Sequence, residues 1–201
     1  MPKTDLYKLH KPEYVAPKEP ALVEVGAAKY LTAEGEGAPG GEKFQQAVGA
    51  LYQVAYSMKM AKKFAGQDYK VCHLEGLWWG IELMEARDKW RWKLLIRVPD
   101  FIGVRDLKET AARLKEKGKG DLPVEVRLET VKEGRCVQVL HTGPYAAEPA
   151  TVARMEAFAG SKGLAFAGPH HEIYLSDPRR VAPEKLRTIL RMLVKQGSPD
   201  K

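Results

Sequence analysis

The sequence has few cysteines and no long apolar stretch, and both absences narrow the class of protein. Cys72 and Cys136 are its only cysteines. They form no Cys-x-x-Cys pair, and no histidine stands at zinc-ligand spacing from them. No apolar run approaches the length of a membrane span, and the first five residues lack the apolar core of a secretory signal. We therefore predict a cytoplasmic protein with reduced thiols and no membrane contact.

Two features that mark nucleotide or nucleic-acid binding are also missing. The glycine-rich segment 35–41 is not followed by the Lys-Ser or Lys-Thr pair that a phosphate-binding loop needs. The net charge of +7 permits contact with nucleic acid. However, the basic residues are spread along the chain rather than gathered in one tract. We expect no cofactor and no direct nucleic-acid partner.

The remaining composition is that of an ordinary globular protein. Hydrophobic residues make up 44% of the 201 positions and charged residues 29%. That length suffices for one large domain or two small ones. Residues 1–20 contain four prolines and four lysines, a composition that predicts an extended arm. Residues 21–195 are predicted to form a single domain.

Apolar spacing predicts the order of the secondary-structure elements. The clearest helix spans 42–64, where apolar residues recur at steps of three and four. Residues 80–89 are charged and predict a loop or a short helical turn. Further helices are predicted over 104–117, 149–162 and 183–190. Strands are predicted over 21–34, 68–79, 90–97, 124–131, 136–142, from 170 to a stop at Pro178, and over 192–194.

The order strand, helix, strand, strand is found twice in this prediction. The first copy covers about 21–97 and the second about 135–194, with an inserted helix and strand between them. Two such units commonly place antiparallel sheets side by side with helices on one face. The other face then forms a cleft that can bind a ligand. The fold class is therefore predicted as α+β, a tandem β-α-β-β repeat with pseudo-twofold symmetry.

The segment 170–178 carries the clearest chemistry. Side chains alternate across a strand, so His170, Glu172 and Tyr174 share one face. A carboxylate between an imidazole and a phenol on a sheet face usually has a partner. A solvent-exposed glutamate at a sheet edge is the alternative interpretation. Metal binding at His170 would need further ligands at suitable spacing, and none is evident, so we predict no metal site.

All four tryptophans lie between residues 78 and 92. A local hydrophobic core is the simpler interpretation for any one of them. As a group they are also suited to form an aromatic wall for a flat or cationic ligand. Trp78 and Trp79 must point to opposite faces of their strand, and Trp79, which shares the face of Glu75, is chosen for the wall. Tyr56, on the flank of the 42–64 helix, is placed at the edge of the same pocket.

Several short motifs together resemble a known family. They are Leu74-Glu75-Gly76-Leu77-Trp78-Trp79, Trp90-x-Trp92, His141-Thr142-Gly143-Pro144-Tyr145 and the stretch from His170 through Arg180. They resemble the GyrI-like small-molecule-binding family, and within it the stand-alone bacterial proteins, over about residues 4–195. The resemblance implies a tandem pair of β-α-β-β units. In related regulators a Glu-x-Tyr pair contacts cationic aromatic drugs, and Glu172 and Tyr174 match it. This chain has no helix-turn-helix segment.

The stand-alone proteins resemble cyclopropanoid cyclopropyl hydrolases, and that resemblance implies an enzymatic function. Such enzymes add water to the strained cyclopropane of DNA-alkylating compounds of the yatakemycin and duocarmycin type. The resemblance places Glu172 as the group that orients water, with Tyr145, Tyr174 or His141 donating to the developing oxyanion. The residues predicted to contact the ligand are Tyr56, Trp79, Trp90, Trp92, His170 and Tyr174.

A second class of function fits the same residues. The chain could bind or sequester flat xenobiotics without turning them over, or it could bind a protein as a gyrase inhibitor does. Catalytic turnover discriminates between these classes, because a binder stops at one equivalent of ligand. For a hydrolase or a sequestering protein the expected partner is an aromatic small molecule, and the expected oligomeric state is a monomer or homodimer.

Overall fold

A computed structural model describes residues 3–81 and 86–197 as a mixed α/β protein with antiparallel strands. The chain divides into two compact units. Unit 1 comprises Met1–Leu9 and Ala28–Val131, and unit 2 comprises His10–Ala27 and Lys132–Lys201. The helices are α1 Leu6–Leu9, α2 Lys11–Tyr14, α3 Glu42–Phe64, α4 Val104–Glu116 and α5 Glu148–Gly160. The strands are β1 Ala21–Glu36, β2 Leu74–Trp79, β3 Arg91–Arg97, β4 Arg127–Thr142, β5 Leu164–Phe166, β6 His170–Tyr174 and β7 Arg187–Gln196.

Unit 1 is built on strand β3, which pairs antiparallel with both β1 and β2. One face of these strands carries Trp92, Leu94 and Ile96, all buried. Helix α3 covers that face, because its own buried residues Leu51 and Met58 recur on one side of the helix. The predicted helix over 42–64 is thus confirmed with its boundaries. Among the described residues, no helix is both long enough and apolar enough to span a membrane.

Unit 2 is built on strand β7, which pairs antiparallel with β4, β5 and β6. Helix α5 covers one face of this sheet. Its buried Met155 and Ala159 form a core cluster with Val139 and Leu190. In the register of β6 with β7, His171 is opposite Arg191 at one end and Tyr174 is opposite Thr188 at the other.

The predicted C-terminal helix over 183–190 is wrong. Only Pro183–Lys185 forms a turn of 3-10 helix, and β7 begins at Arg187. The apolar residues that suggested helical spacing, Ile189 and Leu190, are consecutive buried residues of a strand with neighbours on both sides. A strand buried on both faces carries apolar residues at adjacent positions, which periodicity alone cannot distinguish from a helix.

The structure also differs from the prediction in two strands. The strands expected over 124–131 and 136–142 are one continuous strand, β4, which passes through Gly134 at a φ of +79°. The short strand β5 was not predicted. In the 80–89 segment, Arg87–Lys89 forms a turn of 3-10 helix, as expected, and residues 82–85 lie outside the described residues.

The segment 1–20 is packed rather than extended. It contains helices α1 and α2, with Pro12 at the start of α2, where a proline needs no N–H partner. Leu6 is buried in the core of unit 1, and Tyr14 is also buried. Within unit 2, the carbonyl of Pro17 accepts a hydrogen bond from the backbone of Leu140 at 2.8 Å.

Each unit contains the order strand, helix, strand, with its helix packed on one face of its strands. The pseudo-twofold symmetry between the two copies stays a prediction.

Candidate functional site

Strand β6 places His170, Glu172 and Tyr174 on one face, as the alternation predicted. The pairing register of β6 with β7 identifies which face of the sheet this is. Glu172 is opposite Leu190 on β7, and Leu190 belongs to the core cluster beneath α5. Glu172 therefore does not lie on the helix-free face of unit 2, where the ligand cleft was predicted from the sequence. The glutamate lies on the face that α5 covers. Alternation along a strand shows which residues share a face, but it does not show which face of the sheet a helix covers.

A second carboxylate joins Glu172 from helix α5. Glu148 is in the first turn of α5 and its side chain is 9% exposed. His170 Nε2 lies 3.2 Å from Glu172 Oε1 and 4.0 Å from Glu148 Oε2. The imidazole is 4% exposed and the Glu172 side chain 14% exposed. Two carboxyl groups and one imidazole thus meet in a largely buried position within unit 2.

The surroundings of Glu148 favour its protonated form. Burial, and next the negative charge of Glu172 and a hydrogen bond with it, raise the pKa of Glu148 well above its usual range. A neutral Glu148 can donate its proton in that hydrogen bond. Two carboxyl groups that share a proton are a recurrent acid–base arrangement in active sites.

Tyr145 lies beside this pair. It is in a turn of 3-10 helix, Tyr145–Ala147, and its ring makes an edge contact with Tyr174 at 6.1 Å between centroids. Burial, then the charges of Glu172 and Glu148, raise the pKa of Tyr145 to about 12. The phenol therefore keeps its proton at neutral pH and can act as a hydrogen-bond donor.

Two buried polar atoms of the cluster have no hydrogen-bond partner among the described residues. They are Glu148 Oε1 and His170 Nδ1. A buried polar atom without a partner is costly to fold, and such atoms often mark a position where water or a ligand binds. The cluster therefore has capacity to accept hydrogen bonds from a bound molecule.

Glu148, His170 and Glu172 also satisfy the spacing of a metal site. One donor atom from each lies within 4.8 Å of the others. We predicted no metal because no further ligand was visible near His170 in the sequence, and Glu148 is the ligand that sequence spacing did not reveal. The proton on Glu148 gives an alternative account of this spacing, since it removes the repulsion between the two carboxylates without a cation.

His141 is buried and both of its ring nitrogens have partners. Nδ1 lies 2.8 Å from Thr151 Oγ1, and Nε2 lies 3.3 Å from the carbonyl of Pro144. Thr151 is on α5, and Pro144 directly precedes Tyr145. With its proton on Nε2, His141 donates to Pro144 and accepts from Thr151. These contacts fix the turn that carries Tyr145, which is a positioning role.

Three of the four tryptophans pack in the core of unit 1. Phe44 of α3 contacts Trp78 and Trp92, each at 5.6 Å between ring centroids, and Trp78 contacts Trp90 at 6.1 Å. Trp90 and Trp92 are at most 9% exposed. We therefore withdraw both as ligand contacts, since the alternation that joins Trp92 to Leu94 places it beneath α3. The core interpretation holds for these residues.

Trp79 and Tyr56 are more accessible. Trp79 is half-buried and packs on the other sheet face of unit 1, in the cluster that contains Leu77 and Leu95. Tyr56 is 55% exposed on α3 and stacks on Tyr52 at 6.0 Å. Its groove is lined by residues of unit 1. The predicted contacts of Trp79 and Tyr56 with the ligand of Glu172 stay predictions.

Glu148 is the residue that sequence reasoning missed. The pair Glu148-Pro149 marks the start of a helix, and the helix was predicted from residue 149. Nothing in that local pattern links the carboxylate to a strand more than twenty residues later. The link is made by the packing of α5 on the sheet of unit 2.

Comparison with known proteins agrees with this fold. The model of the GyrI-like small molecule binding domain matches residues 18–195. Because the match covers most of the chain, the chain belongs to the GyrI-like family of small-molecule-binding domains. No curated protein matches it.

Solved structures from Listeria innocua are similar over nearly the whole chain. An uncharacterized conserved protein is 39% identical with a TM-score of 0.90, covering 96% of this chain and 100% of its own. A protein described as a hydrolase is 38% identical with a TM-score of 0.88 and the same coverage. The EcmrR C-terminal domain, at 12% identity, covers 89% of this chain and 98% of its own with a TM-score of 0.57, and it shows the fold alone.

Proposed function

We propose that this chain is a small-molecule hydrolase that opens the cyclopropane of cyclopropanoid DNA-alkylating compounds, of the yatakemycin and duocarmycin type, by adding water. The observation that carries the proposal is the largely buried cluster of Glu148, His170 and Glu172, in which burial and the charge of Glu172 raise the pKa of Glu148. Protection of a cytoplasm from such compounds is the physiological role that follows.

Glu172 acts as the general base in this mechanism. Its carboxylate accepts a proton from a water molecule as the water oxygen bonds to the unsubstituted cyclopropane carbon. The strained carbon–carbon bond breaks at the same time. Its electron pair passes into the conjugated ring system, and the dienone oxygen becomes a phenolate. His170, whose Nε2 lies 3.2 Å from Glu172 Oε1, is placed to hold the carboxylate in position.

Tyr145 stabilises the negative charge that develops on the dienone oxygen. Its raised pKa keeps the phenol protonated, so it donates a hydrogen bond to that oxygen as the charge appears. The phenolate then takes a proton from solvent, and Glu172 releases the one that it accepted from water. The balance is one water consumed: the strained carbon–carbon bond and one oxygen–hydrogen bond of water break, and a carbon–oxygen bond and the phenolic oxygen–hydrogen bond form.

The Listeria innocua proteins described as hydrolases support an enzymatic role. At 37% and 38% identity over 96% of the chain, they are close enough to suggest related chemistry. The family description, small-molecule binding, supports the part of the proposal that concerns a ligand.

Turnover at a large excess of ligand tests the proposal. Purified protein is mixed with a duocarmycin-type cyclopropane, and the hydroxylated ring-opened product is measured by chromatography. We expect product to accumulate over many equivalents. Glu172→Gln should reduce kcat by at least about a hundredfold while a neutral ligand still binds. Glu184→Gln, a substitution of the same type at an exposed position of unit 2, is the control and should not change the rate.

The family description also supports a second candidate function, ligand binding without turnover. A buried carboxylate beside the unpartnered oxygen of Glu148 would attract a cationic aromatic ligand. Intact ligand at the end of the assay, with binding complete at one equivalent, would establish this function. Equal rates for the wild type and Glu172→Gln would remove Glu172 from the mechanism.

A further inference from the structure

Unit 1 contains a groove of about 820 Å³ between α3 and the end of α4, and its lining residues all belong to unit 1. Its floor is one side of α3, where residues 46, 49, 50, 53 and 57 recur at steps of three and four. Tyr52 and Tyr56 stand at its edge, and Lys117, Lys119 and Leu122 form the opposite wall. This volume falls within the range of small-molecule sites.

The wall opposite α3 is held in a fixed conformation. Gln53 on the groove floor donates to the carbonyl of Lys119 at 2.8 Å, and the Lys119 amide donates to the carbonyl of Leu114 at 2.8 Å. Gly118 turns the chain at a φ of +65°. A side chain at Gly120 would lie only 2.7 Å from the Cα of Lys115, so this turn requires glycine for its close packing. The groove is therefore preformed.

Gly49 keeps the groove open. It lies within α3, where glycine is a poor helix former. A Cβ added at Gly49 would meet no atom within 4 Å, so packing of the chain does not require glycine there. A larger side chain at this position would occupy the groove instead. The small residue thus leaves space that the described part of the chain does not fill.

The lining points to one class of ligand. Tyr52 and Tyr56 are stacked at 27°, and the half-exposed ring of Tyr56 offers a flat aromatic surface. Lys117 and Lys119 outnumber Asp121 in the lining, so the charge of the groove is positive. We propose that this groove, lined by residues of unit 1 alone, is a second ligand site and that it binds flat aromatic molecules carrying an anionic group.

Fluorescent probes test the proposal in the intact protein. Anilinonaphthalene sulfonate is the anionic probe, and N-phenylnaphthylamine is its neutral counterpart. We expect the sulfonate to bind at one saturable site. Gly49→Leu should weaken its binding by at least about tenfold, while the thermal midpoint stays the same or rises because leucine favours the helix. Tyr56→Ala, at an exposed position, should weaken binding of both probes.

A double lysine variant tests whether the positive charge of the groove contributes to binding. Lys117→Gln combined with Lys119→Gln should weaken binding of the sulfonate several-fold and leave the neutral probe unaffected. Glu172→Gln should bind both probes as the wild type does, which separates this site from the proposed hydrolase site. Unchanged binding in Gly49→Leu and Tyr56→Ala, or the lack of any saturable binding, would overturn the proposal. An unchanged sulfonate affinity in the lysine variant would overturn the anionic class of ligand.

Discussion

Replacing Glu133 with glutamine should destabilise the protein strongly at neutral pH. Glu133 is on β4 within unit 2, and its side chain is 11% exposed. One carboxylate oxygen lies 2.8 Å from His171 Nδ1 and the other 2.9 Å from Arg191 Nη1. Arg191 is 1% exposed. Glutamine would preserve the shape of the side chain but remove the negative charge opposite a buried guanidinium.

The size of the effect follows from the pKa of Glu133. Burial by itself raises this pKa, but the charges of His171 and Arg191 outweigh burial and lower it from 4.5 to about 2. That difference corresponds to about 3 kcal/mol of stability at pH 7. Because the folded pKa is depressed, this contribution is complete well above pH 4.5. It is lost as the pH falls towards 2, and near pH 4 about 1 kcal/mol of it is gone.

Urea unfolding at pH 7 and near pH 4 measures this contribution. We expect Glu133→Gln to lower the free energy of unfolding by about 3 kcal/mol at pH 7 and by about 2 kcal/mol near pH 4. The control is Glu125→Gln, which disrupts an exposed pair with Arg127 and should leave the unfolding midpoint unchanged. A Glu133→Gln midpoint equal to that of the wild type, or a gap that widens in acid, would refute the reasoning.

Three further predictions concern the site and the core. Because the pKa of Glu148 is raised, we expect turnover to persist at neutral pH and to fall as the pH rises through that pKa. The variant Glu148→Gln should lack this fall in kcat at alkaline pH. Dialysis against EDTA should leave turnover unchanged, since protonation of Glu148 relieves the repulsion between the two carboxyl groups without a cation, and a loss that zinc restores would contradict this account. Gly35→Ala should lower the free energy of unfolding by about 1–3 kcal/mol in urea titration, because its Cβ would overlap the ring of Trp92. Gly26→Ala is the control, with nothing within 4 Å of the added Cβ, and an equal effect at both glycines would exclude the overlap as the cause.

The long helix could be predicted from the sequence because its buried residues lie on one side, and strand β3 because a short aromatic and apolar run ends before Pro99. Helix α3 is the clearest case, since its buried apolar residues, Ala47, Leu51, Val54 and Met58, recur at steps of three and four. Apolar periodicity did not identify strand β7. It is buried on both faces, so Ile189 and Leu190 supply apolar residues at neighbouring positions and the period disappears.

Only the part of the candidate site that lies on strand β6 could be predicted from the sequence. Alternation correctly placed His170, Glu172 and Tyr174 together, because that relation is local. The second carboxylate, Glu148, comes from the start of α5, and its position depends on how that helix packs against the sheet of unit 2. Trp90 and Trp92 were assigned to a ligand although their alternation with Leu94 already indicated a core face.

The assignment of His10–Ala27 to unit 2 has a consequence for the order in which a newly made chain can fold. Unit 1 is complete in sequence once Val131 has been synthesised. The carbonyl of Glu13, by contrast, accepts a hydrogen bond from Arg191, at the far end of the chain. At typical rates of translation that partner follows Val131 by roughly 3–12 s. During this interval the segment around Glu13 lacks this hydrogen-bond partner, and it is then open to chaperones and proteases.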